Sequence, residues 1–175
     1  MDKIKVAVVG VGNCCSSLIQ AINFYEGHEV GLMHKDLGGF KPSDIEIVGA
    51  IDIDSRKVGK DLSEAIFSEP NVALKVCDVP TTGVRVVKGE VLDGADGVLK
   101  DLISVDESPP VDVKEYIRNT GAEIVLSLLP TGARKASEFY ARAALDCKCA
   151  FINCTPTKIV TDESWVRMFD NAGAP

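Results

Sequence analysis

The stretch Ile4-Lys-Val-Ala-Val-Val-Gly-Val-Gly-Asn-Cys-Cys-Ser-Ser-Leu18 passes from a mostly apolar, β-branched run through a glycine-rich turn into a helical pattern. An apolar run without polar alternation predicts a central parallel strand, buried on both faces, over Ile4 to Val9. Gly10 permits a tight turn. Gly12 removes the side chain where backbone would have to approach a pyrophosphate, and the helix expected from Asn13 to about Phe24 points its free N–H groups and positive dipole end at that phosphate. The third small position of the G-x-G-x-x-G pattern holds Cys15, slightly larger than the alanine the pattern also accepts. Gly10, Gly12, Asn13, Cys14 and Cys15 are therefore the first candidate cofactor-binding residues. The match gains weight from its place between a strand and a helix.

A dinucleotide site of this kind also needs an acid at the end of the second strand, to bond the adenosine ribose hydroxyls. Glu46 to Ile51 reads as that strand and Asp52 closes it. Asp52 lies about 40 residues past Gly12, against about 20 in the compact unit. A glycine-rich loop from Gly27 to about position 44 accounts for the surplus. The carboxylate would repel a 2′-phosphate, which favours NAD over NADP, with Arg56 and Lys57 as the basic residues that bear on that preference.

Beyond Asp52 a helix is expected from Asp54-Ser55, with Val58, Leu62 and Ile66 on its buried face. Extended pieces follow at Val72–Val76 and Val84–Val87, then a loop from Leu92 to Gly97 and a short helix near Val111–Asn119. A third β/α unit is clear: strand Ile124–Leu129, turn Pro130-Thr131-Gly132, helix Ala133–Leu145, strand Ala150–Asn153. A last helix begins near Thr161–Ser164. Strands alternating with helices predict a single Rossmann-type, doubly wound parallel α/β sheet over residues 1–175. Because a dinucleotide lies across several strand ends, Ser127, Leu129, Pro130 and Thr131 are expected beneath the adenine-side ribose and diphosphate. Asn153 and Thr155 are expected near the nicotinamide; turn formation is the equal alternative for Asn153.

Composition narrows the class. The chain has 175 residues, 46% hydrophobic and 26% charged, with formal net charge -7. Its basic residues are scattered, so no nucleic-acid footprint is expected. No run approaches a membrane span, and the N-terminus carries no secretory pattern, so a cytoplasmic protein is expected. The six cysteines form no CxxC pair and lie apart in sequence from His28 and His34. They read as free thiols rather than metal ligands.

Taken together, Gly10–Leu18, Gly31-Leu-Met-His34, Ala50–Asp54 with Lys57-Val-Gly59, and Asp61–Phe67 resemble the amino-terminal part of bacterial and archaeal myo-inositol-1-phosphate (inositol-3-phosphate) synthase. So do Leu92-Asp-Gly94, Ser127–Gly132, Phe139-Tyr-Ala141 and Phe151-Ile-Asn153, in one register over nearly the whole chain. The resemblance implies an isomerase that converts D-glucose 6-phosphate to 1D-myo-inositol 3-phosphate by oxidation at carbon 5, aldol cyclisation and reduction, with NAD retained throughout. It also implies a homotetramer acting in inositol and phospholipid biosynthesis. Family members are about twice this length. The catalytic and tetramerisation region is expected to be absent, Ala174-Pro175 to lead into a further strand, and the piece alone to bind NAD without turnover. No catalytic residue is assigned, and Lys158 reads as a solvated lysine. Two other readings stay open: the cofactor half of another NAD-dependent dehydrogenase, and a free-standing nucleotide-sensing module.

Overall fold

The structure, a computed structural model, describes residues 3–95 and 97–175, the side chain of Val98 aside. Met1 and Asp2, and Asp96 within the expected loop Leu92–Gly97, lie outside the described residues. Among the described residues, five parallel strands form one sheet in the order β3-β2-β1-β4-β5. They are β1 (Ile4–Val9), β2 (Ile45–Asp52), β3 (Val86–Lys88), β4 (Ile124–Ser127) and β5 (Ala150–Asn153). The α-helices among the described residues are α1 (Asn13–Phe24), α2 (Leu62–Ala65), α3 (Val113–Thr120), α4 (Arg134–Asp146) and α5 (Glu163–Ala172).

The period-2 alternation of each strand divides the core into two faces. Val6, Val8 and Ala50 pack with Cys15 and Ile19 of α1 and with Leu62, Ala65 and Ile66 around α2. Val9, Ile51 and Val125 face Val113 and Ile117 of α3 and Tyr140, Ala143 and Ala144 of α4. The Rossmann-type, doubly wound parallel α/β sheet is thus the observed architecture. Its strand order reverses between β1 and β4, and ligands of open α/β sheets sit in the crevice outside the carboxyl ends at such a point.

Several local expectations are corrected. No helix starts at Asp54-Ser55. The Asp54 carboxylate accepts the N–H of Arg56 (2.9 Å), and Gly59 takes φ +86°, so residues 55–59 run as turns. α2 begins only after Asp61, whose side chain caps it by accepting the N–H of Ser63 at 2.9 Å. Val72–Val76 joins no strand, because side chains of α1 take its backbone groups. Asn13 Oδ1 accepts the N–H of Val72 and Ala73, and Gln20 Oε1 that of Val76. The piece expected at Val84–Val87 contributes β3 at Val86–Lys88. β4 stops at Ser127, two residues before the expected end, and the described part of 92–97 includes a 3-10 turn at Asp93–Ala95. After α5 the chain returns to the outer edge of β5, where the Pro175 carbonyl accepts the N–H of Phe151 at 3.2 Å.

Candidate functional site

A cleft of about 460 Å³ opens at the carboxyl ends of the strands, where β1 and β4 part. Its walls include Gly10, Gly12, Asn13 and Cys14 from the first turn, Asp52 from β2, and Leu128 to Thr131 after β4. The glycine turn is anchored before any ligand is considered: Gly10 N–H donates to the Ile51 carbonyl at 2.9 Å. Gly10 has φ +91°, and a Cβ there would stand 2.9 Å from the Leu128 carbonyl oxygen. Nothing lies within 4 Å of where a Cβ on Gly12 would be. The space beside Gly12 is therefore open cleft. α1 begins there, with Gly12 as N-cap, no capping side chain and no acid in its first turn. A helix end left in that state can take an anion.

Asp52 holds the turn from the neighbouring strand. Its Oδ2 accepts the N–H of Val11 at 2.6 Å, and its Oδ1 accepts those of Ile53 (2.7 Å) and Asp54 (2.9 Å). Each carboxylate oxygen offers two lone-pair directions, so Oδ2 keeps one acceptor position beyond Val11. The cleft wall can thus receive an anion at Gly12 and a hydroxyl at Asp52.

The expected residues do not all reach this wall. Cys15 is wholly buried between α1 and the sheet; burial, then the nearby Asp52 charge, push its thiol up to about 12. Its role in the structure is close packing. Ser127 is also buried, and its Oγ has no hydrogen-bond partner among the described residues. Asn153 and Thr155 lie outside the lining. The Asn153 carboxamide closes a turn, accepting the N–H and hydroxyl of Thr155 (3.0 and 2.8 Å) and donating to the Thr157 carbonyl (2.8 Å). That turn sets Cys154 and Pro156, which do line the cleft. Lys158 is exposed and borders a separate, open depression with Arg134 and Glu163.

Other lining residues were not legible as such. Tyr140 of α4 reaches over the sheet until its hydroxyl lies where a Cβ on Gly89 would be, and burial raises its phenol above the ordinary range, with the Asp52 charge adding to this. Lys57 is 4% exposed; its Nζ donates to Asn71 Oδ1 at 2.9 Å, while Asn71 Nδ2 donates to the Val11 carbonyl at 3.1 Å. Arg56 is committed elsewhere. It grips buried Asp54 with two hydrogen bonds (2.9 and 2.6 Å), and although burial opposes ionisation, these bonds hold the Asp54 carboxyl below its usual value. Asp93 caps α4 from a distance, accepting the N–H of Lys135 and Ala136 at 2.7 and 3.0 Å. Long-range partners such as these leave no periodic or spacing signal in sequence.

Comparison with known proteins agrees with this architecture. No protein-family model matches the chain. Inositol-3-phosphate synthase of Mycolicibacterium smegmatis is 42% identical over 178 aligned positions, covering 99% of this chain and 49% of the relative. That of Corynebacterium glutamicum is 41% identical, with 98% and 49% covered. The chain spans about half the length of the curated relatives it matches. Among solved structures, Ari2 superposes with a TM-score of 0.83 at 33% identity, covering 99% of this chain and 53% of Ari2. A myo-inositol-1-phosphate synthase-related protein from Thermotoga maritima shares the fold, with a TM-score of 0.66 at 19% identity over 95% of this chain and 51% of its own. The cleft at the strand-order reversal and near-complete alignment to named synthases converge: over nearly its whole length the chain is similar to inositol-3-phosphate synthases, of which it spans about half the length.

Proposed function

We propose that this chain is the amino-terminal, NAD-binding part of an inositol-3-phosphate synthase, and that the whole protein converts D-glucose 6-phosphate to 1D-myo-inositol 3-phosphate. The observation that carries the reading is the open space at Gly12, on an uncapped helix end, with the Asp52 carboxylate on the next strand. NAD, when bound, supplies the hydride acceptor and donor for a reversible oxidation of the sugar.

The residues present fit that group. Gly12, Asn13 and Cys14 would receive the diphosphate on backbone N–H groups, and the acceptor position left on Asp52 Oδ2 would take an adenosine-ribose hydroxyl. Asp52 is also what disfavours a 2′-phosphate, and the Arg56 guanidinium is held by Asp54. Leu129, Pro130 and Thr131 would form the floor, with Ser127 behind them. Asn153 and Thr155 would act by fixing the turn that presents Cys154 and Pro156. Cys15 would act by letting α1 approach the strand. No catalytic residue is assigned to this chain. The same reading gives a cytoplasmic homo-oligomer, a tetramer by resemblance. Free thiols at all six cysteines suit a reducing compartment.

The test is calorimetric titration of the nucleotide-stripped chain with NAD⁺ and NADP⁺. Preference for NAD⁺ is expected, and Asp52→Asn should weaken it by about 1–3 kcal/mol, the cost of a lost charged hydrogen bond. Preference for NADP⁺ would reject the Asp52 assignment, and no binding by folded protein would reject the nucleotide reading. The sugar conversion is tested on a gene product extending through the other half of the relatives' length, assayed for inositol phosphate from glucose 6-phosphate.

A further inference from the structure

The cleft wall holds a buried positive charge that the family reading does not use. Lys57 is 4% exposed and lines the cleft, yet its Nζ has one polar partner, the neutral carboxamide oxygen of Asn71 at 2.9 Å. No carboxylate pairs with it among the described residues; Asp54, three positions earlier, is paired with Arg56 at 2.6 Å. A buried ammonium without an anion is costly, and one neutral hydrogen bond offsets only part of that cost. Asn71 is itself fixed, donating to the carbonyls of Val11 and Ile66 at 3.1 and 2.9 Å. The ammonium is therefore held one side chain away from the glycine turn. On the same wall α1 begins with no capping side chain and no acid in its first turn. Two positive features thus border one open space; Asp52, Asp54 and Glu90 share the wall, but none of them lies within ion-pair distance of the Lys57 ammonium.

Resting on the dinucleotide reading, we infer that Lys57 is the charge partner of the diphosphate of the bound cofactor and sets the strength of its binding. Arg56 cannot take this part, because its guanidinium is spent on Asp54 and the Leu102 carbonyl. Asp52 takes the ribose and Lys57 the phosphates, so two opposite charges of one wall read different parts of one ligand.

The experiment is a ligand ladder of adenosine, 5′-AMP, ADP and NAD⁺, with 2′-AMP as a control, titrated into the whole 175-residue chain and into Lys57→Met and Lys57→Gln, with thermal melts of each. In the unaltered chain, affinity should climb from adenosine to ADP and fall with added salt. In the variants ADP and NAD⁺ should bind about 10- to 100-fold more weakly, the range for a charged hydrogen-bonding partner, while adenosine stays within about twofold. Equal losses for adenosine and ADP would make Lys57 structural and overturn the inference. So would a larger loss for 2′-AMP than for 5′-AMP, which would place the charge at the 2′ position. Unfolding of both variants would assign Lys57 to the fold alone. If the unaltered chain bound none of the four ligands, the dinucleotide reading itself would fall; normal ADP binding by the variants would sink only the role of Lys57.

Discussion

Gly10 and Gly12 stand two positions apart in the same turn under opposite constraints. At Gly10 φ is +91°, and a Cβ would meet the Leu128 carbonyl oxygen at 2.9 Å, so an alanine there is strained twice over. At Gly12 φ is -90°, an ordinary value for any residue, and nothing stands within 4 Å. Gly10→Ala should therefore lower folding stability by about 1–3 kcal/mol, read as a shift of the denaturant midpoint. Gly12→Ala should stay within about 0.5 kcal/mol of the unaltered protein and instead lose nucleotide affinity, because its methyl group fills the space a diphosphate would need. Equal destabilisation by both substitutions would show Gly12 to be structural and remove the central support for the site. The spacing of these glycines was readable in sequence, since a strand before and a helix after fix what the turn must do. The difference between them was not, because it depends on Leu128, more than a hundred residues away. Lys57 was readable only as a basic residue near Asp52, and Tyr140 not at all as part of the wall, because each is placed by a contact the spacing does not show, with Asn71 and with Gly89.

Among the elements, α2 and its approach show how a short-range side chain overrides periodicity. Val58, Leu62 and Ile66 have helical spacing, and that spacing misled because Gly59 and the Asp54–Arg56 contact break the segment first. Asp61 then becomes the organising residue. Its Oδ1 accepts from the N–H and hydroxyl of Ser63 (2.9 and 2.6 Å) and from those of Thr82 (3.1 and 2.9 Å), and Oδ2 accepts the N–H of Gly83 at 2.8 Å. Burial pulls its pKa upward, but these bonds from Ser63 and Thr82 outweigh it and hold the carboxyl down to about 2. A carboxyl depressed in the folded state stabilises it above the unfolded value, near 3.9, and that stability is lost as pH falls toward the folded value. Denaturant unfolding followed from pH 6 to pH 2 should show this loss between about pH 4 and pH 2. Asp61→Asn should be less stable at pH 6, by about 1 kcal/mol for a weakened cap, with the gap closing toward pH 2. A gap independent of pH would mean that Asp61 acts by shape and not by charge. The β1–α1 unit was by contrast legible to the residue, and the β4–α4 unit to within two residues at each boundary.

Across the whole molecule, the six thiols are distributed so that their reactivity maps the fold and the cleft together. Cys15 and Cys149 are buried on opposite faces of the sheet, and burial raises both thiols, Cys15 to about 12. Cys77 and Cys147 are half-buried. Cys14 and Cys154 are exposed and both line the cleft, one in the first turn of α1 and the other just past β5, beyond β4 in the strand order. Because the thiolate is the reacting form, a buried thiol with a raised pKa reacts only when the fold opens. Iodoacetamide labelling followed by peptide mass spectrometry should modify Cys14 and Cys154 first, and Cys15 and Cys149 only at the rate of global unfolding. A ligand lying across several strand ends must cover both cleft thiols, whereas one confined to the glycine turn covers Cys14 alone. NAD⁺ should accordingly protect Cys14 and Cys154, and ADP only Cys14. Protection of Cys14 by both ligands with Cys154 always free would confine the nucleotide to the adenine side and reject the extended pose that a hydride-transferring cofactor needs. Protection of neither would move the ligand off this cleft altogether.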